Sequence, residues 1–83
     1  MTLDEYYLIY PDGDSQEIEG PLEINQVVDM NGRPVRISFP APRMVAYRIF
    51  RISHQEERGI RRRLHFSELM NMDELNSYAR NPF

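Results

Sequence analysis

The stretch from Arg43 to Met70 constrains the fold more than any other part of this chain. The run RMVAYRIFRISHQ is rich in β-branched and aromatic residues, the turn cluster EERG follows it, and IRRRLHFSELM resumes the pattern. Two strands joined by a tight turn are the simplest reading. With Glu57, Arg58 and Gly59 as a three-residue loop and Gly59 in the left-handed conformation that glycine takes at little cost, Glu56 faces Ile60. That register sets Ile52 opposite Leu64, Phe50 opposite Phe66 and Arg48 opposite Glu68, and places Ala46 beside Met70, all favourable cross-strand pairs on one face. The other face carries Tyr47, Ile49 and Leu69 near the base, and Arg51, Arg61, Arg63 and His65 near the tip. The base therefore needs cover, whereas the tip is expected to lie in solvent.

Cover is available from the residues that follow. Asn71-Met72-Asp73-Glu74 resembles a capping box, in which Asn71 accepts from the first free amides and Glu74 reaches back to the cap. A helix over about 72–80 should begin there, with Met72, Leu75, Tyr78 and Ala79 at helical spacing, acids in the first turn, Arg80 in the last, and Asn81-Pro82 ending it. Because it leaves directly from the strand, the helix is expected to pack on the Tyr47, Ile49 and Leu69 patch.

The remaining chain reads as two further hairpins. Residues 5–10 form a strand, Pro11-Asp12-Gly13-Asp14 a turn, and residues 15–19 a polar return strand suited to a sheet edge. Residues 22–30 and 34–39 flank Asn31-Gly32, a strong two-residue hairpin signal that would set Val28 opposite Val35, Gln26 opposite Ile37 and Ile24 opposite Phe39. Pro40-Ala41-Pro42 interrupts the pattern and leads into the long hairpin, whose strands span about 43–55 and 60–70. The expected fold class is mainly β: an antiparallel three-hairpin sheet or small barrel of about five or six strands, with one short C-terminal helix on one face. In size and strand count this resembles small β-barrel modules of the SH3-like or OB type, a likeness of architecture that assigns no function.

With 83 residues the chain makes one small domain with a modest core and little room for a large enclosed active site. Hydrophobic residues at 41% and charged residues at 28% are ordinary for a globular protein. Cysteine is absent, so neither disulfides nor thiolate metal sites supplement the core. The first residues lack a basic leader and no apolar run approaches the roughly 18 residues of a membrane span, so a soluble, cytoplasmic protein is expected.

Net charge, −3, conceals an uneven distribution. Residues 1–32 contain eight acids and no base, residues 33–66 nine arginines and two glutamates, and the remainder three acids and one arginine. Opposite charges pairing across the sheet are the structural explanation; an anionic partner for the arginines is the functional one.

Motifs for catalysis are missing. In the expected register His54 and His65 lie on opposite faces, which argues against a shared metal, and no third histidine exists. Ser53 or Ser67 near His65 lacks an orienting third group. The four glycines are dispersed among turns, so no phosphate-cradling loop opens a helix. No cofactor is implied. The functional expectation is a non-enzymatic protein-interaction module, a monomer or weak edge-strand dimer, with Arg51, Arg61, Arg63 and His65 as candidate binding residues. Single-stranded RNA binding by Arg51, Arg61 and Arg63 is the alternative, supported by nearby Tyr47, Phe50 and Phe66 but opposed by a pI near 5.3. An enzyme or small-ligand binder is a second alternative.

Overall fold

The computed structural model describes residues 2–81. Its elements are β1 (Leu3–Ile9), β2 (Ser15–Ile18), β3 (Val27–Asp29), β4 (Ala46–Glu57), β5 (Ile60–Leu69) and α1 (Met72–Arg80). The protein is mainly β with one short C-terminal helix, and its five strands form a curled half-barrel sheet in the order β2-β1-β5-β4-β3. The sheet is mixed rather than wholly antiparallel: β1 runs parallel to β5, from Leu3 beside Ile60 to Ile9 beside Phe66.

The long hairpin β4–β5 forms, with a shorter loop than the expected one. Glu57 faces Ile60, leaving a two-residue turn in which Arg58 and Gly59 both have positive φ, 50° and 79°. Two such residues match the right-handed twist of the flanking strands. A register shift between Ile49 and Arg51 then absorbs the difference. Below it Arg48 faces Glu68 as expected; above it Arg51, not Phe50, faces Phe66, and Ile52 faces His65. Phe50 is the extra residue of a β-bulge, where two residues on one strand oppose one on the other.

That single residue sorts the two faces of the sheet. The inner face carries Leu8, Val28 and Ile49, which are fully buried and packed with Leu22, and Tyr10, Ile18, Tyr47 and Ile52 surround them. The outer face is covered at its base by α1, where Val27, Ile37, Ala46, Met70 and Leu75 form a second cluster. The helix thus packs on the face opposite to the expected one. Ala46 and Met70 are buried there with Leu75, while Tyr47 and Ile49 pack in the inner cluster and Leu69 stays 59% exposed.

The first hairpin pairs Tyr6 with Ile18 and Ile9 with Ser15. The hairpin expected at Asn31-Gly32 is largely lost. Val28 bridges Pro34 instead of Val35, and Asp29 N donates to the Arg33 carbonyl at 2.9 Å, so Met30, Asn31 and Gly32 make a three-residue loop. Asp29 Oδ1 accepts from the amides of Asn31 and Arg33 at 2.8 and 3.1 Å, which ties off this wider loop locally. Pro34 cannot donate, and no strand forms over 34–39. Ile37 is nonetheless buried, whereas Ile24 and Phe39 are 42% and 50% exposed.

The curl brings the outer strand of the first hairpin to the β3 turn. Tyr10 Oη donates to the Met30 carbonyl at 2.7 Å, and Gln16 Nε2 donates to the Asn31 carbonyl at 3.0 Å. The half-barrel is therefore joined across its opening by side chains rather than by a backbone ladder.

Candidate functional site

The four residues expected to form one exposed basic face are separated by the bulge. Arg61 and Arg63 point to the inner side at the hairpin tip, opposite Glu56 and His54. Arg51 shares the outer side with Phe66, its guanidinium carbon 4.1 Å from the ring centroid. His65 is completely buried, not exposed.

Two of the arginines at the tip, Arg61 and Arg62, are met by carboxylates inside the chain. The parallel register sets Asp4 beside Arg61 and Glu5 beside Arg62. Arg61 Nε donates to Asp4 Oδ1 at 3.0 Å and Arg62 Nε to Glu5 Oε1 at 3.1 Å. Glu5 Oε1 also accepts from the Tyr7 hydroxyl at 3.0 Å, and that bond, with slight desolvation, raises the Tyr7 pKa above its ordinary value. Arg63 has no carboxylate partner within the described residues; one terminal nitrogen donates to the Leu22 carbonyl at 3.2 Å, and its Nε is buried without a partner. The charge asymmetry of the sequence is thus partly internal pairing across β1 and β5.

His65 is a structural residue by its geometry. Nδ1 donates to the Tyr7 carbonyl at 2.8 Å, and Nε2 accepts from Leu22 N at 3.0 Å. The two partners define one neutral tautomer, with the proton on Nδ1. Ser67 Oγ donates to the Ile9 carbonyl at 2.8 Å. Neither residue retains a free group with which to make a nucleophile and base, whereas His54, contrary to the expected divergence, shares the inner face with His65. No group of three or more His, Asp or Glu side chains converges as a metal site among the described residues. The cleft between β2 and the 31–34 segment, about 550 Å³, is open and contains no histidine or serine.

The arrangement that the bulge creates lies on the outer face. Beyond the helix, the sheet presents Tyr7 and Ile9 from β1, Leu64 and Phe66 from β5, and Arg51 from β4, with the bulged Phe50 preceding it in the strand. Phe50 is 50% exposed, and Tyr7, Ile9, Leu64 and Phe66 are half-buried with nothing from the helix over them. The strip is aromatic and aliphatic, and among the described residues the Arg51 guanidinium on it has no carboxylate partner. Sequence reasoning missed it because strict alternation sent Phe50 and Phe66 to the face opposite Arg51, Arg61 and Arg63. The available signal was Ile49 and Ile52, two apolar residues three apart in a strand, which both reach the inner face only if a bulge lies between them.

Fold and site together define a small half-barrel β domain with a buried, doubly hydrogen-bonded His65 on its inner face and an aromatic strip on its outer face. The chain belongs to the family described as Uncharacterised Treponema protein, whose model matches residues 2–78. No curated protein and no solved structure matches it. No helix among the described residues is long and apolar enough to cross a membrane.

Proposed function

We propose that this is a non-enzymatic protein-interaction module, acting as a monomer in a cytoplasmic setting, which docks a partner on the outer strip of β1, β5 and β4. The carrying observation is Phe50, held half-exposed by a bulge beside an Arg51–Phe66 stack. Bulges re-aim side chains, and a large exposed aromatic next to an unpaired guanidinium is the kind of anchor that dominates interfaces. The partner surface that fits is an apolar side chain beside a carboxylate, the carboxylate meeting Arg51. The short β2 edge, four residues with Glu17 exposed on it, disfavours pairing between two copies and supports the monomer.

Selection of a random peptide library on the immobilised protein tests this reading. Peptides with an acidic residue beside an aromatic or aliphatic one should be enriched, and Phe50→Ser and Arg51→Glu should each lose them while keeping the wild-type thermal midpoint. Peptides bound equally well by both variants would place recognition elsewhere.

A second reading, binding of single-stranded RNA, draws on the same stack, since arginine over an aromatic ring, with Tyr7 on the same face, offers a base-stacking platform. Glu5, Glu17 and Glu68 on that face and the net charge of −3 weigh against it. Binding of an oligouridylate that weakens steeply with salt and disappears in Arg51→Glu would replace the protein-binding reading.

A further inference from the structure

The peptide of Leu22 is gripped from both sides. Its N–H donates to His65 Nε2 at 3.0 Å, and its carbonyl accepts from an Arg63 terminal nitrogen at 3.2 Å. Between them the Leu22 side chain, 3% exposed, closes the inner cluster of Leu8, Val28 and Ile49. The strap from Glu19 to Gln26 connects β2 to β3, and its two halves are held differently. Asn25 N donates to the Ile49 carbonyl at 2.8 Å and Ile49 N to the Gln26 carbonyl at 3.0 Å, so the second half belongs to the sheet. Among the described residues, the first half up to Leu22 is tied to the sheet through Leu22, whereas Glu23 is bonded to Gln26 through its N–H (2.9 Å, to Oε1) and its carbonyl (3.1 Å, from Gln26 N).

We propose that His65 is an acid-triggered latch: protonation of its Nε2 takes away the acceptor for Leu22 N–H, frees residues 19–22 from the sheet and uncovers the apolar inner face. An imidazolium donates from both nitrogens and accepts from neither, so the Leu22 bond cannot coexist with it. The two N–H groups would face each other, and the buried amide would lose its partner at a cost sufficient to release a short segment.

The groups around the ring add to the effect. From β5, Arg63 lies on the same face and is itself bound to the strap; from β4, His54 stands opposite Arg63, with Glu56 further out opposite Arg61. From β1, Leu8 lies alongside His65, Tyr6 and Tyr10 flank it on that face, and Asp4 is occupied by Arg61. From the strap, Glu19 and Glu23 are exposed. No carboxylate hydrogen-bonds to the ring. Burial foremost, with the Arg63 and His54 charges, lowers the His65 pKa below 6.5, against the opposing pull of the Tyr7 carbonyl. The closed state therefore binds fewer protons than the open one. Its latch contribution is complete above about pH 6.5 and is lost as pH falls from there through the depressed closed-state value.

The test follows the intact protein by NMR from pH 8 to pH 5. The ring nitrogen shifts should show the Nδ1–H tautomer at high pH. As pH falls below about 6.5, and until the ring of the closed state titrates, the protection of the Leu22 amide should fall about tenfold per pH unit relative to amides in β4 and β5, whose protection stays constant. His65→Gln places a non-titrating acceptor near the Nε2 position and should keep Leu22 protected across the range. Leu22 protection that does not fall as pH drops below about 6.5, that is lost only together with that of β4 and β5, or that shows the same acid loss in His65→Gln would overturn the latch. If His65→Gln does not fold, the wild-type ring shifts and site-resolved exchange decide alone.

Discussion

Arg48 lies between two carboxylates that reach it from different elements. Its terminal nitrogen is 2.6 Å from Glu68 Oε1 on β5 and 3.0 Å from Glu74 Oε2 on α1. The pairing with Glu68 follows from the strand register, while Glu74 arrives with the helix. Arg48→Ala leaves the two acids facing one another and should cost about 1–2 kcal/mol, more than an exposed pair, since all three side chains are only partly exposed. Glu74→Gln keeps an acceptor for the cap and removes only the ionic half, so a double-mutant cycle in urea should report coupling of about 0.5 kcal/mol or more between positions 48 and 74. Additive effects would show that the triad contributes nothing beyond packing. Glycine gives a second test at this scale. Gly32 has φ +81°, and a Cβ there would lie 2.9 Å from Ile18 Cγ2 and 3.3 Å from Leu8 Cδ2, whereas Gly13, at φ +94°, has nothing within 4 Å. Both alanine variants incur backbone strain of about 1 kcal/mol, but Gly32→Ala should be the worse by roughly a further 1 kcal/mol because the first hairpin must also shift. Equal losses by chemical denaturation would mean that the turn and the hairpin are free to part.

At the scale of elements, the helix was fully legible and its docking was not. Asn71 accepts from Glu74 N at 2.8 Å, Glu74 accepts from Asn71 N at 3.1 Å, and the helix spans Met72–Arg80 as its capping pattern implies. Asn71→Ala should lower stability by about 1 kcal/mol and lower amide protection first in the helix, as exchange would show. Caps and periodicity are local, so a sequence displays them. Which face of a strand the helix then covers depends on what else has covered the other face, and that was settled by the curl of distant strands around Leu8 and Ile49. The two turns show the same division. Both contain glycine at positive φ, as the sequence signals, but their lengths are two residues at Arg58-Gly59 and three at Met30–Gly32, the reverse of the expectation. A bulge can absorb one residue and the Asp29 side chain can close a wider loop, so turn composition alone does not set the count. The candidate site suffered most from this. Moving one residue of β4 out of the ladder sent Arg51 to Phe66, away from Arg61 and Arg63, and set Ile52 rather than Arg51 opposite His65.

For the whole molecule, the decisive joins are side-chain bonds across the opening of the half-barrel. Tyr10→Phe removes the hydroxyl that donates to the Met30 carbonyl and should cost about 1 kcal/mol, with faster exchange of the amides at 31–33 and little change in β4 or β5. Unchanged exchange at that turn would show that Gln16 alone holds the two sides together. Local chemistry in the sequence determined the β-rich composition, the first and last hairpins, the capped helix, the break at the prolines and the Arg48–Glu68 pair. Each depends on residues close in the chain or on one hairpin register. Tertiary structure alone decided that β1 inserts parallel beside β5, with Asp4 and Glu5 brought to Arg61 and Arg62, because parallel pairing needs no turn and leaves no local signature. It also decided that His65 is a buried ligand of two backbone groups, since its partners at Tyr7 and Leu22 lie 58 and 43 residues away and only the closed curl of the sheet brings them to opposite sides of one ring.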